Sequence, residues 1–374
     1  MTSPLSLRHI DWILVGAVAL LISFGLVTMH SFTGVDSFFI RQLIWGGVGI
    51  LLMIIIGFVD LGFLKDGRVL LGLFLLGNVL LALLFIFGQT VNGAQSWIEI
   101  GPIALQPADF IKLILVLVLA KYFSRRHVVI GNIKHIIVSA VYTFIPFMLI
   151  LMQPDFGSGM VLGLIWFGMI LVSGINKKHL FTLLGLGLVL VLGVWMFVLA
   201  PYQKDRLASF LNPLEDIQGA GYNAYQSTVA VGSGQFLGKG VGYGTQSRLN
   251  FLPEYQTDFI FAAFAEEWGF IGSFIVLILF SIIIWRSLRI SMLGASNFEI
   301  LFGIGVVIFF MAHIIINIGM NIGLMPVTGI PLPFMSYGGS HILTECLALG
   351  ILMSMGRYAR RTHREDLTRE FVGI

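Results

Sequence analysis

Charge is scarce in this chain of 374 residues. Asp, Glu, Lys and Arg together make up 11%, against roughly 25% in an ordinary soluble domain. Too few polar side chains remain to cover a water-facing surface, which excludes a soluble globular enzyme. Cysteine is nearly absent as well. A lone Cys346 permits no internal disulfide, so stability rests on packing. The sequence also lacks a His/Cys metal cluster, a Ser-His-Asp set in register and a dinucleotide fingerprint. What it has is apolar: 57% hydrophobic residues, with a mean hydropathy of +0.95. That excludes disorder and marks a polytopic membrane protein. The net charge of +3 and pI near 9.0 follow from basic loops and carry little weight toward nucleic acid.

Ten apolar runs approach the roughly 20 residues that a helix needs to cross the hydrocarbon. They are Trp12–Met29, Phe39–Val59, Val69–Phe87, Phe110–Tyr122, Ile136–Leu151, Ser158–Ile175, Leu180–Leu199, Phe259–Trp285, Ile300–Met320 and His341–Met355. None alternates polar and apolar residues as a barrel strand does. Arg8 precedes the first run and no small-residue cleavage site follows it, so it reads as a start-transfer helix. The expected fold class is an all-α polytopic membrane protein. It is a bundle of about ten transmembrane helices in one integral domain over residues 1–374.

With a cytoplasmic N-terminus, sixteen of the 22 Lys and Arg residues fall inside, five fall outside, and Lys112 lies within a span. The positive-inside rule favours that map. It puts both termini in the cytoplasm, with a basic tail over 357–374. The longest polar segment, 201–257, then lies outside, as does Gly88–Pro107. The inner loops are too short for a nucleotide-binding domain, so chemistry belongs at the outer face, where there is no ATP.

Ionisable side chains inside a span are expensive and point to function. Asp109 and Lys112 are three apart and share a helical face. A structural ion pair and the polar lining of an outward cavity are both open. Gln106-Pro107-Ala108-Asp109 is echoed by Gln153-Pro154-Asp155, and proline suits the first turn of a helix. Asp155 is then a cap or a working carboxylate at the membrane edge. Glu266 and Glu267, adjacent in the eighth span, cannot both face lipid. Glu345 has a similar standing. His313 reads as a hydrogen-bonded interhelical residue.

Eight glycines fall in the 26 residues from Gly219 to Gly244. They suit a flexible loop, or a close backbone approach to a phosphate through exposed N–H groups. A P-loop is not present: Gly234 to Gly238 is one residue short, and Gly240 stands where Ser or Thr should hold the metal. The segment closes on Glu254 and then Asp258, at the start of the eighth span, where an acid is an N-cap or a functional group. Asp258, Ala262, Ala265, Glu266 and Gly269 share a small, acidic helical face suited to packing or a cavity. Pro326–Gly339, with three prolines, must be buried in protein or line an aqueous cavity.

These segments, in their order and spacing, resemble the SEDS family (shape, elongation, division and sporulation), most of all its RodA branch. The matching pieces are Val91–Trp97, Gln106-Pro107, Gln153–Gly157, the glycine-rich loop, Phe251–Ala262, Glu266-Glu267 with Gly269, and Pro331–Ser340. Gly244–Ser247 leading to Phe251–Glu254 favours the elongation branch over the FtsW-like division branch. Four positions depart from the family pattern. Ala108-Asp109 replaces the usual Ser-Glu, Gln235 a common glycine, and His341 a small residue.

The resemblance implies a peptidoglycan glycosyltransferase of the bacterial cytoplasmic membrane. It would polymerise lipid II into glycan strands at the outer face during elongation and rod-shape maintenance. The implied partner is a class B penicillin-binding protein, a single-span transpeptidase. Asp258 matches the family's essential acid and is expected to act as general base. Lys112, Arg206, Lys239 and Arg248 are candidates to meet the pyrophosphate, with or without a divalent ion such as Mg²⁺ or Mn²⁺. No nucleotide is required, because the donor carries its own leaving group. Gln106, Asp109, Asp155, Glu254, Glu266 and Ser336 are placed with them as substrate or cavity lining. The rival reading is a lipid II flippase or another transporter, which ten helices with breaks at mid-membrane also fit. Against it stand the absence of an internal repeat and the large outer loop ending in an acid. A scaffold that only recruits the transpeptidase is a third reading; it leaves Asp109, Lys112, Asp155 and Asp258 without a role.

Overall fold

Lipid offers a backbone no hydrogen-bond partner, so apolar runs must satisfy themselves as helices. The computed structural model describes residues 10–33, 37–91, 94–100, 103–125, 133–197, 204, 210, 221–249, 251–252 and 254–372. Every expected span is helical as far as it is described. In chain order the helices are α1 (Trp12–Thr33), α2 (Ser37–Phe58), α3 (Gly67–Phe87), α4 (Pro107–Ser124), α5 (Ile133–Leu151), α6 (Phe156–Val172) and α7 (Lys177–Phe197). Then come two short helices, α8 (Tyr222–Ser233) and α9 (Thr245–Arg248), followed by α10 (Ile260–Ser291), α11 (Asn297–Asn321) and α12 (Gly339–Val372). Seven of these, α1–α3, α5 and α10–α12, are long and apolar enough to cross a membrane, and α6 is a shorter apolar helix. α4 carries Asp109, Lys112 and Lys121 within its 18 residues. The chain is a multi-pass membrane protein.

Burial identifies the centre. In the spans of α12 and α11, 89% and 67% of residues are buried, against 22% in α2. α4 and α6 pack on α11, α2 on α12, and α10 lies between α1 and α11. At one end of the bundle Arg286 Nε of α10 donates to Asp11 Oδ2 beside α1 at 2.8 Å.

Two connections differ from their sequence expectation. Gly88–Pro107, expected as a loop, holds three short antiparallel strands: β1 (Gln89–Val91), β2 (Ala94–Ile100) and β3 (Ile103–Leu105). Trp97 stands opposite Gln89 and Glu99 opposite Ala104. β1 and β3, of three residues each, are too short to show a period of two. The glycine-rich segment is not a plain loop either, since it contains α8 and α9. Asn92, Gly93, Arg206, Gly219, Ala220 and Pro253 lie outside the described residues. Within Pro326–Gly339, Gly329 is exposed, and from Ile330 the chain enters the interior, with Ile330, Leu332, Phe334, Met335 and Ser336 each no more than 1% exposed. Non-helical chain at membrane depth is thus covered by protein, as the physics of lipid requires.

Candidate functional site

Asp258 stands just ahead of α10, which begins at Ile260 with Phe259 as its N-cap and no side-chain cap bond. The capping expectation therefore does not hold for Asp258. The chain before it is fixed through its backbone. Gln256 C=O accepts from Tyr337 N–H at 2.8 Å, and Thr257 C=O accepts from Ser336 Oγ at 2.6 Å. Asp258 C=O accepts from two amides of α11, Asn317 Nδ2 at 2.9 Å and Asn321 Nδ2 at 3.0 Å. Ser336 is itself held, its Oγ accepting from Leu332 N–H at 2.8 Å. Three successive carbonyls are thus received by the irregular segment and by α11. The Asp258 side chain is half-buried and faces Gly329, where a Cβ would lie 3.5 Å from Oδ2.

A second group of charges lies inside the bundle. Lys112 Nζ donates to Asp109 Oδ1 at 3.0 Å, both side chains buried. His341 of α12 approaches the same oxygen, its Nδ1 at 3.5 Å. His341 Nε2 is 2.9 Å from Glu345 Oε1, and Glu345 Oε2 accepts from Phe334 N–H at 2.9 Å. Phe334 takes a left-handed φ of 61°, a strained state that a surrounding structure must enforce. His313 of α11 bonds within its own helix, to Phe309 C=O at 2.9 Å, while its ring lies 5.1 Å from that of His341. His313 and Asn317 are four apart, so this charged group and the Asp258 mounting meet α11 one turn from each other.

The glycine-rich segment has a different task from the one its composition suggested. α10 breaks at Gly269 (φ 64°, ψ −161°), freeing the i,i+4 partners around it. Glu266 C=O and Glu267 C=O accept from Lys239 N–H and Gly240 N–H, each at 3.0 Å. Phe270 N–H and Ile271 N–H donate to the carbonyls of Gln235 and Phe236 at 2.9 and 3.2 Å. These N–H groups meet a helix of the same chain, where sequence alone suggested a phosphate. The Glu266 carboxylate, fully buried, accepts from Lys239 Nζ at 2.7 Å, Thr245 Oγ1 at 3.1 Å and Gln246 N–H at 3.1 Å. Glu267 Oε1 accepts from Gly242 N–H at 2.6 Å. Gly238 has a φ of +80°, and a Cβ there would sit 2.0 Å from Glu267 O. Gly238→Ala is therefore expected to cost about 3 kcal/mol or more through overpacking and strain. Gly232→Ala, in α8 with nothing within 4 Å, should be neutral. Paired thermal melts in detergent check this; equal melting temperatures would remove the clasp.

The remaining expected residues are scattered around these groups. Asp155 caps α6, accepting from Ser158 N–H at 2.9 Å. Gln106 is the N-cap residue of α4, and its N–H donates to Ser340 Oγ at 3.0 Å. Glu254 is exposed and accepts from Thr257 Oγ1 at 2.9 Å. Arg248 is exposed at the end of α9. Among the described residues, no three His, Cys, Asp or Glu side chains gather to hold a metal ion. Asn317 and Asn321 carry no motif signal, although buried amides four apart in an apolar span are themselves a polar signal.

The family model for FtsW/RodA/SpoVE cell cycle proteins matches residues 6–361. The chain belongs to this family. This FtsW/RodA/SpoVE protein is 38% identical over 361 residues to stage V sporulation protein E of Bacillus subtilis strain 168, covering 94% of this chain and 98% of the relative. It is 36% identical over 301 residues to the peptidoglycan glycosyltransferase MrdB of Escherichia coli K12, covering 79% of each. In structure it is similar to a chain from a peptidoglycan synthase complex described as coordinating polymerization and crosslinking. The TM-score is 0.80 at 29% identity, over 93% of this chain and 98% of that one. The two sequence identities are too close to rank one relative above the other.

Proposed function

We propose that this protein is a lipid II polymerase of cell elongation, working at the outer face of the cytoplasmic membrane with both termini inside. Its relative MrdB is named a peptidoglycan glycosyltransferase, and that activity is the core of the reading. The carrying observation is the mounting of Asp258: a backbone fixed at three successive carbonyls, with a half-buried carboxylate beside a residue that has no side chain.

In this reading the Asp258 carboxylate takes the proton from the acceptor sugar hydroxyl. The hydroxyl oxygen bonds to the anomeric carbon of the donor. The bond from that carbon to the pyrophosphate oxygen breaks, and undecaprenyl pyrophosphate leaves with the electron pair. Configuration inverts. General-base help is worth about 10²–10⁴-fold. Of the candidate cations, Lys239 already serves Glu266 and Lys112 serves Asp109. Among the described residues, the exposed Arg248 is then the strongest candidate for the pyrophosphate. Mg²⁺ is often held by one or two carboxylates together with substrate phosphates, and Asp258 fits that mode. A bound Mg²⁺ or Mn²⁺ would neutralise leaving-group charge. A single-span class B transpeptidase is the proposed partner, in keeping with the structural similarity to a synthase complex.

The test is direct. The purified full chain is given lipid II, with and without the transpeptidase, and with Mg²⁺, Mn²⁺ or chelator. Glycan polymer is the expected product. Absence of polymer under all these conditions, with lipid II crossing vesicle membranes, would replace the enzyme by a transporter.

A further inference from the structure

If α10 began one residue earlier, Ala262 N–H would bond to Asp258 C=O, four residues back. That bond is not made. Ala262 N–H donates to Asn321 Oδ1 at 3.2 Å, and Asp258 C=O accepts from Asn321 Nδ2 at 3.0 Å. One amide takes both ends of the bond that would lengthen the helix, satisfying a first-turn N–H that has no partner within the helix. Which end is oxygen and which is nitrogen is settled by the partners, since Ala262 N–H is only a donor and Asp258 C=O only an acceptor. The first bond of the helix is Ala263 N–H to the N-cap Phe259 C=O at 3.1 Å. Asp258 is thus the residue at which α10 stops short.

Asn321 does not act alone. Asn317, one turn earlier on α11, donates to Asp258 C=O at 2.9 Å and to Ile330 C=O at 2.7 Å. Asn321 Oδ1 also accepts from Ser227 Oγ of α8 at 3.2 Å. Both asparagines are fully buried. The pair therefore gathers α8, the start of α10 and the irregular segment onto the last turn of α11. Of these, the start of α10 adjoins Asp258, and the irregular segment carries Gly329 beside it.

We propose that Asn321, supported by Asn317, is a positioning wedge that stops α10 from starting one residue earlier, so that Asp258 stands outside the helix. Without the wedge, the two backbone groups satisfy each other. Asp258 then joins the helix as an added residue, its peptide turns, and its carboxylate leaves the face of Gly329. The consequence for the reaction rests on Asp258 being the base; the wedge itself does not. A misplacement near 1 Å can cost about 10²-fold in rate, so the effect falls on kcat more than on substrate affinity.

Asn321→Ala in the full chain tests the idea through structure and kinetics. The expected structure has Ala262 N–H bonded directly to Asp258 C=O. The expected kinetics are a drop in kcat of about 10- to 100-fold, with the KM for lipid II little changed. Asn321→Asp has the same shape and supplies a second readout if the alanine protein folds poorly. Its side chain can donate to Asp258 C=O only when protonated. The ratio of its kcat to that of wild type should therefore fall as pH rises. The wedge is overturned if α10 still begins at Ile260 in Asn321→Ala with Asp258 unmoved, or if the Asn321→Asp ratio is flat with pH. A closed turn in Asn321→Ala, together with a fully active Asp258→Asn protein, would keep the wedge and remove the base.

Discussion

Purified Asp258→Asn protein is expected to melt at the wild-type temperature, to bind lipid II, and to form no glycan polymer with or without its transpeptidase. Stability should survive because the fold grips this residue by its backbone. Asn317, Asn321 and the neighbouring Ser336 and Tyr337 all donate to carbonyls of residues 256–258. The cap of α10 is Phe259, so the exchange leaves the helix start alone. An amide has the carboxylate's shape but cannot accept the acceptor's proton. The loss should reach at least the ~10²–10⁴-fold typical of general bases, or ~3–5 kcal/mol of barrier. Single-turnover polymerisation of labelled lipid II measures it. Wild-type polymerisation by Asp258→Asn would end the base assignment.

Lys112→Met should be the most costly single change within the membrane. Removing one partner of a buried pair leaves the other charge in a low dielectric, which typically costs about 3–5 kcal/mol. Asp109 would keep His341 at 3.5 Å, so the lower part of that range is expected. The damage should spread along the bridge from Asp109 through His341 and Glu345 to Phe334, and so to the turn holding Thr257. Activity should fall even in the fraction that remains folded. Thermal melts and specific activity of the folded fraction separate the two effects. A fully active protein of normal stability would show Lys112 to be a bystander.

The helical class and ten of the twelve helices were legible because lipid forces a coarse rule: a long apolar run has one way to satisfy its backbone. Asp109 and Lys112 were legible because three residues apart on a helix means one face. The break at Gly269 was not, since Glu266 and Glu267 just before it read as polar residues of one continuous span from Phe259 to Trp285. The glycines of the loop told of a close backbone approach without telling to what, and the approach proved to be to α10 itself. Gln235 sits at φ 48°, a left-handed state that glycine adopts at less cost, which accounts for the family's usual residue there. Asn321 escaped notice because its work is to replace a bond between two other residues, and no motif or period records that.

The clasp at Gly269 also sets which letters of the loop are free to vary. Its four bonds run from backbone to backbone, so they read no side chain at positions 235, 236, 239 and 240. What they demand is the lack of a Cβ at Gly238 and Gly269, each of which would strike main-chain atoms of the other strand of the contact. Phe236, Leu237 and Tyr243 are 67%, 78% and 70% exposed. The loop can therefore drift in composition at these outward positions, and acquire new surface chemistry, while its attachment to α10 stays the same.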